Sequence, residues 1–170
     1  MTVSWGQQYL KVGTQRFYPD EEAIRFLARA CLPAGVAVLE VGCGNGRNLA
    51  AIKHAGLRAH GLDAEQAAVD LARDRLAAYG YESNLSERIR CHNLPSICFE
   101  PERFAAVLDI QCLQHLGEGD LIATLSEIHR VLQSRGLFFS TYLIEVDSGI
   151  YPDHPELREN LGHDYGMAVQ

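Results

Sequence analysis

At 170 residues, 47% hydrophobic and 22% charged, the chain has the size and make-up of one globular domain rather than of a disordered segment. Fifteen Lys and Arg against 22 Asp and Glu give a formal charge of −7. That balance argues against duplex nucleic acid, whose partners carry a basic face, and favours a small-molecule ligand. No apolar run reaches the ~18–20 residues of a membrane span, and residues 1–15 lack a signal-peptide core, so a cytoplasmic setting is expected. Cys31, Cys43, Cys91, Cys98 and Cys112 are odd in number and hold no C-x-x-C pair; neither a disulfide framework nor a zinc site is expected.

In chain order, residues 1–18 carry Trp5, Tyr9, Phe17 and Tyr18 among polar residues. A helix is expected from Pro19-Asp20, with Glu21 and Glu22 in its first turn and Ile24, Leu27, Ala28 and Cys31 at helical spacing as far as Leu32. Pro33-Ala34-Gly35 stops it, and Val36–Val41 reads as a short buried strand. A helix over Asn45–Ala55 ends at Gly56. Leu57–Leu62 is a second strand ending at Asp63. A helix over Ala64–Tyr79 follows, with Val69, Ala72, Leu76 and Tyr79 on one face. A third strand is expected near Arg88–His92, then irregular chain to Arg103, then a fourth strand, Phe104–Ile110. Leu121, Leu125, Ile128 and Leu132 line a helix ending at Gly136, and Leu137–Leu143 is a fifth strand. Strands alternating with helices and apolar enough for burial on both faces predict a parallel α/β sheet. Residues 144–170 are expected to be irregular.

The ligand of an open parallel sheet sits beyond the C-terminal ends of its strands. Strand one delivers Gly42, Gly44 and Gly46 into a helix start, where glycines admit close approach and unsatisfied N–H groups face the ligand. Strand two delivers Asp63, 21 residues after Gly42, placed to accept hydrogen bonds from ribose hydroxyls. Strand three delivers Asn93. Strand four delivers Asp109, Gln111, Gln114 and His115, and strand five Thr141 and Tyr142. A dinucleotide loop is G-x-G-x-x-G, but here Arg47 stands where its third glycine belongs. The P-loop pattern is absent. NAD is weakened and NTP chemistry disfavoured.

The stretch Val38-Leu39-Glu40-Val41-Gly42-Cys43-Gly44-Asn45-Gly46, with Gly61-Leu62-Asp63, Phe104-Ala105-Ala106-Val107, Leu113-Gln114-His115-Leu116, Ile128-His129-Arg130-Val131-Leu132 and Gly136-Leu137-Phe138-Phe139, resembles the class I S-adenosylmethionine-dependent methyltransferases over about residues 20–143. The resemblance implies a three-layer, Rossmann-like, mostly parallel sheet binding S-adenosyl-L-methionine and a small-molecule acceptor. It divides one domain, 1–170, into an N-terminal lid and helix (1–33), a cofactor-binding core (34–143) and a tail (144–170). Gly42, Gly44 and Gly46 would lie under the methionine and ribose, with Glu40 organising the methionine end. Asp63, with Ala64 after it, would hold the ribose. Asn93 falls where the family usually has an Asp on the adenine amino group; Leu94 would offer its backbone N–H to the ring; Ile110 and Gln111 would flank the cofactor. Tyr9, Phe17 and Tyr18 are lid candidates, since aromatic faces attract a sulfonium cation.

Ala105 departs from the Asp common at its position, and the family's usual C-terminal helix and antiparallel hairpin are missing from the sequence pattern. Five strands are evident. An uncovered fifth strand invites pairing, so a homodimer through that edge is expected as an alternative to a monomer. His115 is the candidate base, with His154, His163 and Tyr142 as further substrate contacts. No metal constellation is seen. Two other functions stay open: an inactive cofactor-binding partner subunit, and an NAD(P)-binding oxidoreductase.

Overall fold

The computed structural model describes residues 17–80 and 84–142. Five strands, β1 (Ala37–Val41), β2 (Arg58–Asp63), β3 (Ile89–Cys91), β4 (Phe104–Ile110) and β5 (Leu132–Thr141), form one sheet in the order β3-β2-β1-β4-β5. Every pairing is parallel. The sheet runs outward from β1 in both directions, and the order reverses between β1 and β4. That reversal opens a crevice at their C-terminal ends.

Three helices cover one face: α1 (Glu21–Arg29), α2 (Arg47–His54) and α3 (Gln66–Ala78). Ala23 and Leu27, Leu49 and Ile52, and Val69, Ala72 and Leu76 pack with Val38, Ala59, Ala106, Leu108 and Phe139 in one core cluster. The short α4 (Leu85–Arg88) precedes β3, and α5 (Glu118–Val131) covers the other face. There Ile128 and Val131 meet Leu39, Val41, Leu62, Phe104 and Val107. With both faces covered, β1 is buried at every position, which is why its sequence is continuously apolar apart from Glu40. The expected three-layer α/β class and five-strand sheet are thus present.

Asp20 caps α1, its Oδ1 accepting from Glu22 N at 3.1 Å, and Phe26 stacks on Phe139 at 4.7 Å. The helix stops at Arg29, short of the expected Leu32, because Cys31 takes a left-handed φ of 48°. Ile24 is exposed, as is Tyr79 at the end of α3, so each helix buries a narrower stripe than its periodicity suggests. In α5 the buried stripe is Thr124, Ile128 and Val131 rather than one including Leu125. Thr124 can be buried because its Oγ1 donates to Asp120 O at 2.7 Å, within the helix.

The expected helix end at Gly136 is corrected. The helix ends at Val131 and β5 begins at once, pairing Leu132 with Phe104. A register shift follows before Leu137 pairs with Ala106. Arg135 adopts a φ of 64° there, and a Cβ on Gly136 would lie 2.9 Å from Gln133 O. The glycine serves a strand irregularity, not a helix cap. Among the described residues β5 pairs only with β4. The expectations for Trp5, Tyr9, Leu143, His154, His163, the tail and the hairpin fall outside the described residues.

Candidate cofactor site

The glycine loop leaves β1 and turns sharply into α2. Gly42, Gly44 and Gly46 have φ of 65°, 52° and 75°, a region that costs any L side chain strain. Two of them are also pressed from outside. A Cβ on Gly42 would collide with Cys112 Sγ, and one on Gly46 would stand 2.9 Å from Ala72 Cα. The loop is therefore wedged between the chain after β4 and helix α3. Cys43 donates its N–H to Leu62 O at 2.9 Å, and Gly46 donates to Cys43 O at 3.0 Å. Burial pushes the Cys43 thiol well above its ordinary range, so it is packing, not a nucleophile.

Asp63 ends β2 directly beside this loop. Its Oδ2 accepts from Gly44 N at 2.9 Å and its Oδ1 from Glu65 N at 3.0 Å. Burial holds its carboxyl above the ordinary carboxylate range, opposed by those backbone donors. Each carboxylate oxygen has a second lone pair, so the pair can still accept from a vicinal diol while fixing the loop. Ala64 follows it, exposed. His92 N donates to Asp63 O at 2.9 Å, which brings Asn93 and Leu94 beside the same strand ends. Asn93 is exposed and Leu94 half-buried.

On the far side of the loop, Glu40 points from β1 toward α2. It is 2% exposed, and its Oε1 accepts from Asn48 Nδ2 at 2.7 Å. Its Oε2 is buried and has no hydrogen-bond partner among the described residues. Burial raises its carboxyl to about 8, against the opposing Asn48 hydrogen bond. A buried acid that keeps a vacant oxygen costs stability unless something completes it, and a cationic group beside the glycine loop would do so. Between about 4.5 and 8 the folded protein holds a proton that the unfolded chain has released. Stability is then greatest below the lower value and falls as pH rises through the window. Glu40→Gln flattens this slope in a series of thermal melts from pH 4.5 to 8. An unaltered slope would remove Glu40 as its source.

The chain after β4 closes the third side. Ile110 is the last strand residue, 9% exposed. Gln111 has a φ of 62° and donates its N–H to Thr141 O at 2.9 Å; such strain in a non-glycine residue is typical of functional positions. A 3₁₀ turn, Leu113–His115, comes next. His115 is exposed, and its Nε2 lies 3.3 Å from the Gln114 side-chain nitrogen. The turn is anchored by Asp109, which is 1% exposed. Its Oδ1 accepts from Cys112 N at 2.9 Å and Leu113 N at 3.1 Å, and its Oδ2 accepts from Ser140 Oγ at 2.7 Å.

The fold thus gathers Glu40, the three glycines, Asp63, Ala64, Asn93, Leu94, Ile110, Gln111 and His115 at the C-terminal ends of β1 to β4. Asn48 is an addition; Asp109 is expected from its place near the end of strand four, but its anchoring of the turn needs the tertiary fold. Phe17 and Tyr18 are 64% and 85% exposed, and the Phe17 ring lies under Arg75, 5.7 Å from its Cζ. Among the described residues no cluster of His, Cys, Asp and Glu could hold a metal ion.

Comparison with known proteins agrees with this geometry. A family profile described as a methyltransferase domain matches residues 38–136, from β1 to the irregularity in β5. The ubiquinone biosynthesis O-methyltransferase of Bartonella bacilliformis is 26% identical over 106 residues, 62% of this chain and 40% of the relative. The chain therefore spans less than half the length of that relative. A protein solved in work on conversion of a disulfide bond into a thioacetal group during echinomycin biosynthesis superposes with a TM-score of 0.67 at 21% identity, over 78% of this chain and 53% of that one. Geranyl diphosphate C-methyltransferase from Streptomyces coelicolor A3(2), solved with Mg2+, geranyl diphosphate and S-adenosyl-L-homocysteine, gives 0.59 at 21% identity, over 71% and 45%. By profile, fold and the order of its strand ends, the chain belongs to the methyltransferase-domain family of class I S-adenosylmethionine-dependent methyltransferases.

Proposed function

We propose that this domain binds S-adenosyl-L-methionine across Gly42–Gly46 and passes its methyl group to a small organic acceptor. The bond from Gly44 N to Asp63 Oδ2 carries the reading, because it makes the ribose-holding acid and the glycine loop one rigid unit. Glu40, with its vacant buried oxygen, fits the cationic amino end of the cofactor's methionine. Asn93 and the backbone of Leu94 suit the adenine edge, where an amide oxygen accepts as the family's Asp does. Ala64, Ile110 and Gln111 complete the walls.

Bound S-adenosylmethionine supplies a methyl group on a sulfonium, an excellent leaving group. The residues around it then have positioning and desolvation left to do. His115, exposed on a turn that Asp109 holds, serves as proton acceptor for an acceptor hydroxyl or amine. His115→Gln is expected to lower turnover about 100-fold while leaving S-adenosylhomocysteine affinity unchanged; equal turnover in the variant would exclude the role.

The test of transfer itself is incubation with methyl-labelled S-adenosylmethionine and a small-molecule cell extract. Label that moves into an extractable organic product, and moves far more slowly with Asp63→Ala at sub-saturating cofactor, supports the enzyme. Tight S-adenosylhomocysteine binding without any label transfer favours the second reading, a cofactor-binding partner subunit. The five cysteines are all free, which supports a reducing, cytoplasmic setting, and no described helix is long and apolar enough to cross a membrane. A homodimer through the outer edge of β5 is a separate proposal; a monomer by light scattering at high concentration contradicts it.

A further inference from the structure

The residues just before α1 are held to the glycine loop more firmly than a chain lead-in requires. Arg75, on α3, sits one turn beyond Ala72, the residue against which Gly46 is pressed. Its Nε donates to Asn45 O at 2.9 Å and its Nη1 to Phe17 O at 3.0 Å. One guanidinium therefore joins the loop to the strap formed by Phe17–Asp20. Among the described residues no carboxylate lies within ion-pairing distance of Arg75, so its charge meets these backbone dipoles and the Phe17 ring.

Two neighbours repeat the arrangement. Arg47 Nη1 donates to Tyr18 O at 3.2 Å, and its Nη2 lies 3.6 Å from Asp20 Oδ2. Asn48 Oδ1 accepts from Asp20 N at 2.8 Å while its Nδ2 holds Glu40 Oε1 at 2.7 Å. Three backbone polar groups of the strap, the carbonyls of Phe17 and Tyr18 and the N–H of Asp20, are thus each bound by a side chain that adjoins the loop. The Asn45–Gly46 peptide is fixed at both ends, its carbonyl by Arg75 and its N–H by Cys43 O. A loop conformation and a strap position that share these bonds cannot change independently.

We propose that Arg75 is a positioning residue that ties the Phe17–Asp20 strap to the glycine loop, so that filling the loop and fastening the strap are one linked event. The proposal rests on the cofactor reading above and adds that a residue outside the site sets its affinity through the strap. Linkage is reciprocal: whatever fastens the strap raises affinity by the same factor by which the ligand fastens the strap.

The test combines S-adenosylhomocysteine titration with hydrogen exchange of the 17–24 fragment in wild type, Arg75→Met, Arg75→Lys and Arg73→Met. Arg73 is the control, a clamp on the same helix whose Nε and Nη2 donate to Ile89 O at 3.1 and 2.7 Å, away from the loop. In wild type the ligand slows exchange at Asp20 and Ile24. Arg75→Met binds about tenfold more weakly, as loss of a charged hydrogen bond dictates, and the ligand no longer slows those amides. Arg75→Lys, which keeps one charged donor, recovers part of both effects and decides the matter if the Met variant does not fold. Arg73→Met loses stability only. Arg75 variants with wild-type affinity, or with ligand-dependent protection intact, overturn the proposal alone. A wild-type protein that does not bind S-adenosylhomocysteine overturns the cofactor reading first and this one with it.

Discussion

Asp63→Ala weakens S-adenosylhomocysteine binding by about 1.5–3 kcal/mol, the worth of hydrogen bonds to a charged group, or roughly 10- to 150-fold. Two losses add. The ribose hydroxyls lose their acceptor, and Gly44 N loses the carboxylate oxygen that it meets at 2.9 Å. The second loss loosens the loop as well as the ligand. Asp63→Asn separates them: its amide oxygen can still accept from Gly44 N, but the residue no longer presents two acceptor oxygens to a diol. Calorimetric titration is expected to place Asn between wild type and Ala. Unchanged affinity in the Ala variant would remove Asp63 from the site.

Gly46→Ala destabilises the fold by about 2–5 kcal/mol, a left-handed backbone cost of about 1–2 plus an overpacking cost of about 1–3. The overpacking is severe because the new Cβ would meet the Cα of Ala72 at 2.9 Å, and backbone cannot rotate away. Gly56→Ala is the matched comparison. Its φ of 76° is nearly the same as the 75° of Gly46, but nothing stands within 4 Å of its added Cβ. It should lose only about 1–2 kcal/mol. Chemical denaturation of both variants measures the difference. Equal losses would mean that α3 gives way and does not back the loop.

The two predictions draw on different layers of what the sequence discloses. β4 is legible to the residue, Phe104–Ile110, because seven almost wholly apolar positions in a chain of alternating strands and helices are too few for a buried helix and suit a strand buried on both faces. The loop and Asp63 are legible because the chemistry of each is local: glycine spacing in one, a strand-end acid in the other. The boundary between α5 and β5 is not. Gly136 after an amphipathic run reads as a helix stop, whereas the helix stops five residues earlier and the glycine accommodates a bend in β5 against β4. The buried stripe of α5 also escapes periodicity, since Thr124 becomes a core residue only by bonding within the helix while Leu125 faces out. Glu40 stands out as an acid in an apolar strand, but its raised carboxyl comes from burial in the tertiary fold, which the hydrogen bond from Asn48 to Oε1 only partly opposes. Arg75 gives no sequence signal, for its partners are Asn45 and Phe17, 30 and 58 residues away.

The central claim is that the loop from Gly42 to Gly46, bound to Asp63, holds an adenosyl sulfonium cofactor and not a dinucleotide. Parallel calorimetric titrations of the wild-type chain with S-adenosylhomocysteine and with NAD test it most directly. Saturable, one-to-one binding of S-adenosylhomocysteine with no heat from NAD is the predicted result. Binding of NAD, or no binding of S-adenosylhomocysteine, would contradict it.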